Sequence, residues 1–370
     1  MNAEERVWAA INLEKADRVP IGPLLTNHGA SALTDKTQAE VHLDPHKALD
    51  AILEVFDRHG GWDKVEYPFP CMPVRWGYNA GLRVKIPGRE LPDDYVPQPI
   101  EAENVKADDY PAIIAEGWKA FAEKDLIHRV TDLSPEELAE VNRMQLDVNA
   151  RALKEWRGRG VCMAAASNDY HPFFKLSLGR SLIKFTEDIF YTPEPVKRAL
   201  DRMTDETIEG LIAGARETGT RIVGLVEERA STYFYSLKVF EEFWLPYTLR
   251  IIDAMHAEGL VTLFHLDTDW MKNLPYFRQL PEKSAILSFD GLTDIFAAKE
   301  LIGDHLCIQG DVHPSLLSTG KPEEVSEYVG RLVKEVGEGG GFILGVGCEV
   351  PSACSPENFK AMIETAKGAR

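Results

Sequence analysis

Short apolar runs alternate with longer amphipathic segments along this chain. Each run ends in polar residues or glycine, and its nearly continuous apolar character is typical of strands that are covered on both faces. The segments between the runs carry apolar residues at helical spacing, and several of them close on glycine, as helices commonly do. The candidate strands are residues 18–25, 63–68, 160–167, 221–228, 260–267, 285–291, 306–311 and 341–347.

This alternation of strand and helix predicts a parallel sheet. Eight strands in 370 residues favour a (β/α)8 TIM barrel over an open, doubly wound sheet. Residues 87–155 break the rhythm, because they begin acidic and rich in proline and continue as helix. We therefore predict a single α/β domain over residues 1–370, in which residues 87–155 form a cap insertion that flanks the barrel mouth.

The charge balance limits the possible partners. The chain has 41 Lys and Arg against 59 Asp and Glu, a formal net charge of −18, and both signs are mixed along its helical segments. This disfavours nucleic acid and anionic membranes as partners. The sequence shows no signal peptide and no apolar run near the roughly 20 residues that a bilayer span requires, so we expect a cytoplasmic protein. The five cysteines lack CxxC spacing, and each is expected to be a buried small side chain unless it has a chemical task.

The active site of a TIM barrel lies at the C-terminal ends of its strands, so the polar residues that end the runs are the candidates. For each of them ordinary loop chemistry is the alternative. Together they supply imidazole, carboxylate, amide and thiol groups, and they are Asn27, His28, Glu66, Ser167, Asn168, Asp169, Glu227, Glu228, His265, Asp267, Asp290, Gln309, Asp311 and Cys348.

Three of these residues have the chemistry of a metal site. His265 and Asp267 are two positions apart, so their side chains project from the same face of an extended strand. Cys348 follows the last candidate strand, which lies within reach of the others in a closed barrel. Imidazole, carboxylate and thiolate together can bind Zn²⁺ and leave one position open for substrate.

Longer segments carry a family resemblance. The stretches "GDVHPSLLSTGKPEEV" and "GFILGVGCEVP…SPENFKAM" resemble the C-terminal half of the uroporphyrinogen decarboxylase superfamily, and "ERVWAAINLEKADRVPIGP" resembles its beginning. The resemblance implies a (β/α)8 barrel and one of two activities. These are decarboxylation of porphyrinogens and zinc-dependent methyl transfer with a corrinoid protein. In the decarboxylases an arginine-bearing stretch follows the first strand, whereas this chain has "IGPLLTNHGA" there, without arginine. The chain is therefore more similar to the methyltransferase branch.

The resemblance also implies the metal ligands. The methyltransferases carry His-x-Cys after a middle strand and a later Cys in a glycine-rich strand end, and His265 and Cys348 match the first and last of these positions. Asp267 stands where the thiol methyltransferases have cysteine. A carboxylate still binds zinc but leaves a harder metal, which is compatible with an oxygen-bound substrate such as a methyl ether. The alternative is that the substitution has removed the metal.

Six further residues receive predicted roles. Glu228, Asp290 and His313 are the predicted catalytic residues, and His28, Asn168 and Tyr235 are predicted to bind substrate. Glu228 is the candidate fourth ligand or proton donor. The structural alternatives are a salt bridge for Glu228, hydrogen-bonded supporting roles for His28 and Asn168, a loop position beside proline for His313, and core packing for Tyr235.

Three functions are compatible with these features. The first is transfer of a methyl group between a small methylated compound and a corrinoid (cobalamin) protein, with Zn²⁺ bound by this chain and the corrinoid supplied by the partner. That partner is expected to dock directly over the barrel mouth. The second is a decarboxylase or lyase that needs no cofactor and acts on a small acid. The third is a non-catalytic binding protein, because a fold does not fix a function.

Overall fold

The computed structural model describes residues 1–368 and contains ten strands. The barrel strands are separated along the chain by helices, as the sequence pattern predicts. The strands are β1 (Lys64–Glu66), β2 (Arg83–Lys85), β3 (Gln98–Ile100), β4 (Cys162–Ala164), β5 (Asn168–Tyr170), β6 (Ile222–Glu227), β7 (Val261–Leu266), β8 (Ala285–Phe289), β9 (Cys307–Val312) and β10 (Phe342–Val346).

Parallel pairing closes these strands into a TIM barrel. The order β5-β6-β7-β8-β9-β10 forms one parallel sheet, and β1 pairs with β4. Residues 20–24 join β10 to β1 through isolated bridges and backbone hydrogen bonds, one of them from Gly22 N to Leu344 O at 2.8 Å. A bond from Ala165 N to Ile222 O, also 2.8 Å, joins β4 to β6. The eight barrel positions coincide with the eight predicted strands, which confirms the predicted fold class.

The helices surround the barrel. Many begin at proline, which fits the first turn of a helix because its missing N–H has no partner there. The helices are α1 (Ala3–Ile11), α2 (Asn27–Ala32), α3 (Gln38–Leu43), α4 (Pro45–Arg58), α5 (Pro73–Ala80), α6 (Tyr110–Glu116), α7 (Trp118–Phe121), α8 (Ile127–Val130), α9 (Pro135–Arg159), α10 (Pro172–Arg180), α11 (Leu182–Tyr191), α12 (Pro193–Thr218), α13 (Leu237–Phe243), α14 (Leu245–Ala257), α15 (Ile295–Ile302), α16 (Pro314–Thr319), α17 (Pro322–Arg331) and α18 (Pro356–Gly368). No helix within residues 1–368 combines the length and apolar character that a bilayer crossing demands.

The interior of the barrel changes from apolar to polar toward the mouth. Its lower part is a cluster of small and branched side chains that includes Leu263 and Ile286, and α1 packs beneath it. One layer higher, the fully buried side chains of Lys64 and Glu66 form an ion pair at 2.6 Å, and Gln309 donates to the same carboxylate at 2.7 Å. A buried ion pair is costly to desolvate unless hydrogen bonds satisfy it, and Gln309 supplies one of these.

Between β1 and β4 the chain leaves the simple barrel pattern. It forms the antiparallel pair β2–β3 and the helices α5 to α8, and then the long helix α9. The helix α9 packs on α4 beside the barrel, and buried residues of the intervening part, such as Tyr110 and Trp118, belong to the same hydrophobic core as the barrel helices. The assignment of residues 87–155 as a cap stays a prediction.

Cysteine burial follows the expectation for three of the five residues. Cys162, Cys307 and Cys354 are buried in the core, whereas Cys348 is half-buried at the barrel mouth. The expectation was wrong for Cys71, which is exposed because it lies in the loop between β1 and α5.

Gly224 in β6 allows a close approach inside the barrel, and its replacement is expected to destabilise the fold. A Cβ at this position would lie 2.6 Å from the Cβ of Ala165 and 2.9 Å from that of Asn168. We expect Gly224→Ala to lower the free energy of unfolding by about 1–3 kcal/mol in urea denaturation, as overpacking does. The matched control is Gly210→Ala in α12, where an added Cβ meets nothing within 4 Å. Equal stability of the two variants would contradict the expectation.

Candidate metal centre

The end of β7 and the turn after β10 bring the three predicted ligands together. His265 Nε2 lies 3.2 Å from Asp267 Oδ1 and 3.5 Å from Cys348 Sγ. Cys348 Sγ lies 3.8 Å from Asp267 Oδ2. The possible ligand atoms of all three residues lie within 4.8 Å of one another. His265 is buried, and the other two side chains are half-buried at the barrel mouth.

The backbone next to Cys348 explains how it reaches this position. Gly347 lies so close to the residue that follows β8 that a Cβ there would be 2.4 Å from the carbonyl oxygen of Asp290. Only glycine permits this approach. Cys348 itself has φ +68°, a left-handed conformation that is uncommon for a residue with a Cβ and that often occurs at functional sites.

The residues fit a zinc ion by their chemistry. Nitrogen, oxygen and sulfur donors are the ligands that Zn²⁺ takes in proteins. Asp267 Oδ1 is buried and has no hydrogen-bond partner, although an unpaired buried acceptor is costly. Burial would lower the pKa of His265, but the charges of Asp267 and Cys348 outweigh it and raise the pKa well above its ordinary value. The cluster therefore favours a positive charge at Nε2, whether a proton or a metal.

Cys348 can bind a metal only when its thiol has lost a proton, so its pKa matters most among the three donors. Burial raises its pKa to about 11, and the charge and hydrogen bond of His265 oppose this rise. A zinc ligand is a thiolate, so metal binding by Cys348 is coupled to loss of the thiol proton.

Glu228, directly after β6, lies near the cluster without belonging to it. Burial, followed by repulsion from Asp267, raises its pKa to about 7. A carboxyl group with this pKa can hold and release a proton near neutral pH. Its predicted role as proton donor therefore has a physical basis, while the roles of proton donor and fourth ligand both stay predictions.

The carboxylate of Asp290 binds backbone N–H groups. Its two carboxylate oxygens accept hydrogen bonds from Thr268 N at 2.8 Å and Leu292 N at 2.9 Å. The first of these bonds fixes the turn that immediately follows Asp267. The geometry therefore shows Asp290 positioning a predicted ligand, and its predicted catalytic role stays a prediction.

His28 lies at the mouth next to Cys348. Its Nε2 is 2.8 Å from the carboxylate of Glu349, which also accepts a hydrogen bond from Thr26 at 2.9 Å. Burial would raise the pKa of Glu349, but the charge and hydrogen bond of His28 outweigh it and lower that pKa to about 2. The pair ties α2 to the end of β10. Glu349 was not singled out in the sequence, because only the fold brings it to His28.

Two other predicted residues do not join the cluster. Tyr235 is buried in the core, where its hydroxyl pairs with Thr186 at 2.8 Å and its ring meets Phe173 edge-on. These contacts agree with core packing, the alternative given for Tyr235, and its predicted role in substrate binding stays a prediction. His313 is exposed, and its Nδ1 lies 2.7 Å from Ser315 Oγ at the start of α16. This ring nitrogen caps a helix, and the predicted catalytic role of His313 stays a prediction.

Asn168 is exposed in β5, on the rim of the barrel. Its side-chain amide donates to Ala165 O at 3.0 Å and so supports the turn between β4 and β5. Its predicted contact with substrate stays a prediction.

Glu227 was considered among the strand ends, and the structure buries it completely. It accepts hydrogen bonds from Arg229 N at 2.8 Å and from the indole of Trp244 at 2.8 Å, which fixes the loop that carries Glu228. His171 Nδ1, which accepts from a backbone N–H, lies 3.4 Å from the Glu227 carboxyl. When the Glu227 carboxyl is protonated, the repulsion between its oxygen and His171 Nδ1, which are otherwise both acceptors, is removed. Burial raises the pKa of Glu227 to about 8.

This raised pKa predicts a pH-dependent stability. Because the folded state favours protonated Glu227, its contribution to stability is complete below about pH 4.5 and is lost as pH rises through 8. We expect the free energy of unfolding to fall between about pH 4.5 and 8, by at most about 1.4 kcal/mol per pH unit from this group, and this contribution to level off above pH 8. Glu227→Gln should make the slope shallower in urea titrations, and the exposed Glu217→Gln should not. An unchanged slope in Glu227→Gln would contradict the assignment.

Comparison with known proteins agrees with this architecture. The family model described as uroporphyrinogen decarboxylase (URO-D) matches residues 179–369. A uroporphyrinogen decarboxylase from Dichelobacter nodosus is 26% identical over 176 residues, which are 47% of this chain and 48% of that protein. The methylcobamide:CoM methyltransferase MtbA from Methanosarcina acetivorans is 27% identical over 183 residues, 49% of this chain and 51% of the relative. The alignments thus span about half the length of these curated relatives.

A solved structure extends the likeness in fold to the whole chain. A methyltransferase from Methanosarcina mazei superimposes with a TM-score of 0.73 and 18% identity, and the match covers 99% of this chain and 98% of the other. At this identity the match shows the fold alone. The match to the family model covers slightly more than half of the chain, and the TIM barrel of the structure is consistent with this match. The chain belongs to the uroporphyrinogen decarboxylase (URO-D) family.

Proposed function

We propose that this protein is a zinc-dependent methyltransferase that moves a methyl group between a small methylated compound and a corrinoid protein. The observation that carries the proposal is the cluster of His265, Asp267 and Cys348, whose ligand atoms lie within 4.8 Å of one another at the barrel mouth. The similarity to methylcobamide:CoM methyltransferases from two Methanosarcina species supports the corrinoid part of the proposal.

The chain's own residues have separate tasks in this function. His265, Asp267 and Cys348 hold the metal, and Asp290 fixes the turn after Asp267. Bound Zn²⁺ supplies a Lewis acid for the heteroatom that carries the methyl group. Glu228 lies beside the cluster and can hold or release a proton near neutral pH, because burial and Asp267 raise its pKa to about 7.

The donor set and the surrounding charges favour a neutral, oxygen-bound methyl compound. A carboxylate in place of a second thiolate makes the metal harder, which suits an ether oxygen better than a soft thiol. Glu228 and Asp290 both experience repulsion from Asp267, so the surroundings of the cluster are acidic. Such surroundings disfavour an anionic substrate.

The segment at the first barrel position also disfavours a porphyrinogen, because it offers no free positive charge for the substrate carboxylates. The stretch "IGPLLTNHGA" contributes no arginine, and its one basic side chain, His28, is paired with Glu349. A substrate with many carboxylates would find no free cation there. The decarboxylase alternative therefore needs a smaller acid.

The test is methylation of an added Co(I) corrinoid protein, followed by its visible spectrum. Methyl ethers and methylamines are offered in turn, with and without this protein. We expect methylated corrinoid to form only when this protein and a methyl ether are both present. Conversion of a substrate by this chain without any corrinoid would contradict the proposal and favour a decarboxylase or lyase.

A further inference from the structure

Tyr67 occupies an unusual place at the barrel mouth. It follows β1 directly and has φ +48°, a left-handed conformation that is uncommon for a tyrosine. Its backbone N–H donates to Ala164 O at 3.1 Å, which holds this turn against β4. Its ring reaches β6, where a Cβ on Gly224 would lie 3.3 Å from Tyr67 Cε1. Because β4 lies between β1 and β6 in the barrel, the ring extends across the interior of the mouth.

The hydroxyl of Tyr67 is buried and has no hydrogen-bond partner among residues 1–368. Other buried tyrosines have one: Tyr110 donates to Asp188 at 2.8 Å, and Tyr235 pairs with Thr186 at 2.8 Å. Buried polar groups are almost always paired, because an unpaired one is costly. An unpaired hydroxyl held by a left-handed turn is therefore a candidate for contact with a ligand.

The hydroxyl of Tyr67 is close enough to the metal cluster for two of its members, His265 and Cys348, to act on it. The ionisable groups that act on it are His265, Glu66, Glu349 and Cys348. Burial is the largest influence and raises the pKa of Tyr67 well above its ordinary value, so the group remains a hydrogen-bond donor. The proposed function so far assigns no role to the Tyr67 hydroxyl.

From this position we infer that Tyr67 donates a hydrogen bond to the substrate heteroatom from which the methyl group leaves. The inference rests on the proposed function and adds a catalytic residue to it. In demethylation the bond between heteroatom and methyl carbon breaks, and its electron pair stays on the heteroatom. The electron pair for the new carbon–cobalt bond comes from Co(I) of the partner. The phenolic O–H stabilises the developing negative charge without giving up its proton, as fixed donors in other enzymes do.

The test compares two variants that each remove one buried hydroxyl. Tyr67→Phe keeps the ring and deletes an unpaired group, so thermal stability and zinc content should be unchanged. Tyr110→Phe deletes a buried hydroxyl in α6 that is paired with Asp188, so stability should fall while methyl transfer is unchanged. We expect Tyr67→Phe to lower kcat roughly 100-fold for anisole with little change in KM. The loss should be smaller for ring-substituted anisoles whose phenols are more acidic, because they need less stabilisation.

A binding measurement provides a readout other than turnover. Titration of the zinc-loaded proteins with phenol by calorimetry should show affinity about tenfold or more weaker in Tyr67→Phe than in the unaltered protein. Equal phenol affinity together with equal rates across the anisole series would overturn the inference, and so would loss of zinc from Tyr67→Phe. Both leave the proposed function standing. Failure of the unaltered protein to methylate the corrinoid partner would refute the proposed function, and the inference with it.

Discussion

Replacing His265 or Cys348 with alanine is expected to remove bound zinc and abolish methyl transfer while the barrel stays folded. Each variant deletes one of three donors whose ligand atoms lie within 4.8 Å of one another. Loss of a residue that merely supports a ligand typically costs about 10–100-fold in metal affinity, so loss of a ligand should cost more. The fold should survive because the metal cluster lies at the mouth, above the apolar interior of the barrel.

Zinc content and methyl transfer are measured on the same preparations, with far-ultraviolet circular dichroism as the check on folding. Cys354→Ala is the matched control, because this thiol is close to Cys348 in sequence but buried in the core. It should keep its zinc. Retention of zinc and activity in either His265→Ala or Cys348→Ala would show that the ligand assignment is wrong.

Asp267 is expected to set the chemical preference of the site. Asp267→Ala leaves only the imidazole and one thiolate, so zinc affinity should fall by at least about tenfold. Asp267→Cys restores a second sulfur donor, so zinc should be retained while the metal becomes softer. We therefore expect the Cys variant to shift its preference from methyl ethers toward methyl thioethers or thiols.

The matched control for these variants is Asp269→Ala. Asp269 lies two residues further on and accepts a hydrogen bond from Met271 N at 2.9 Å, so its carboxylate serves the turn after β7. Zinc competition with a coloured chelator gives the affinities, and the corrinoid spectrum gives the substrate preference. Full zinc affinity and full rate in Asp267→Ala would exclude Asp267 as a ligand.

The barrel could be predicted because strands that are covered on both faces appear in the sequence as nearly continuous apolar runs. Each of the eight apolar runs corresponds to one barrel position, including residues 20–24, where pairing is limited to bridges at Ile21 and Leu24. The detail of the third run could not be predicted. Residues 160–167 contain only β4, and β5 begins just after them at Asn168. Between the two strands Ala165 adopts φ +56°, a conformation that its residue type does not indicate.

The proximity of His265, Asp267 and Cys348 was predictable because strand periodicity and barrel closure determine it. Tyr67 was missed because its position depends on a left-handed turn rather than on strand alternation. The surroundings of Tyr235 could not be predicted either, because an aromatic side chain can face the mouth or the core. The structure packs its ring edge-on against Phe173.

Zinc X-ray absorption spectroscopy of the unaltered protein, purified anaerobically without chelators, tests the central claim most directly. If His265, Asp267 and Cys348 hold the metal, the protein should carry about one zinc per chain, with a single sulfur donor and the remaining donors nitrogen or oxygen. Less than about a tenth of a zinc per chain, or a zinc environment with no sulfur or with several, would contradict the account.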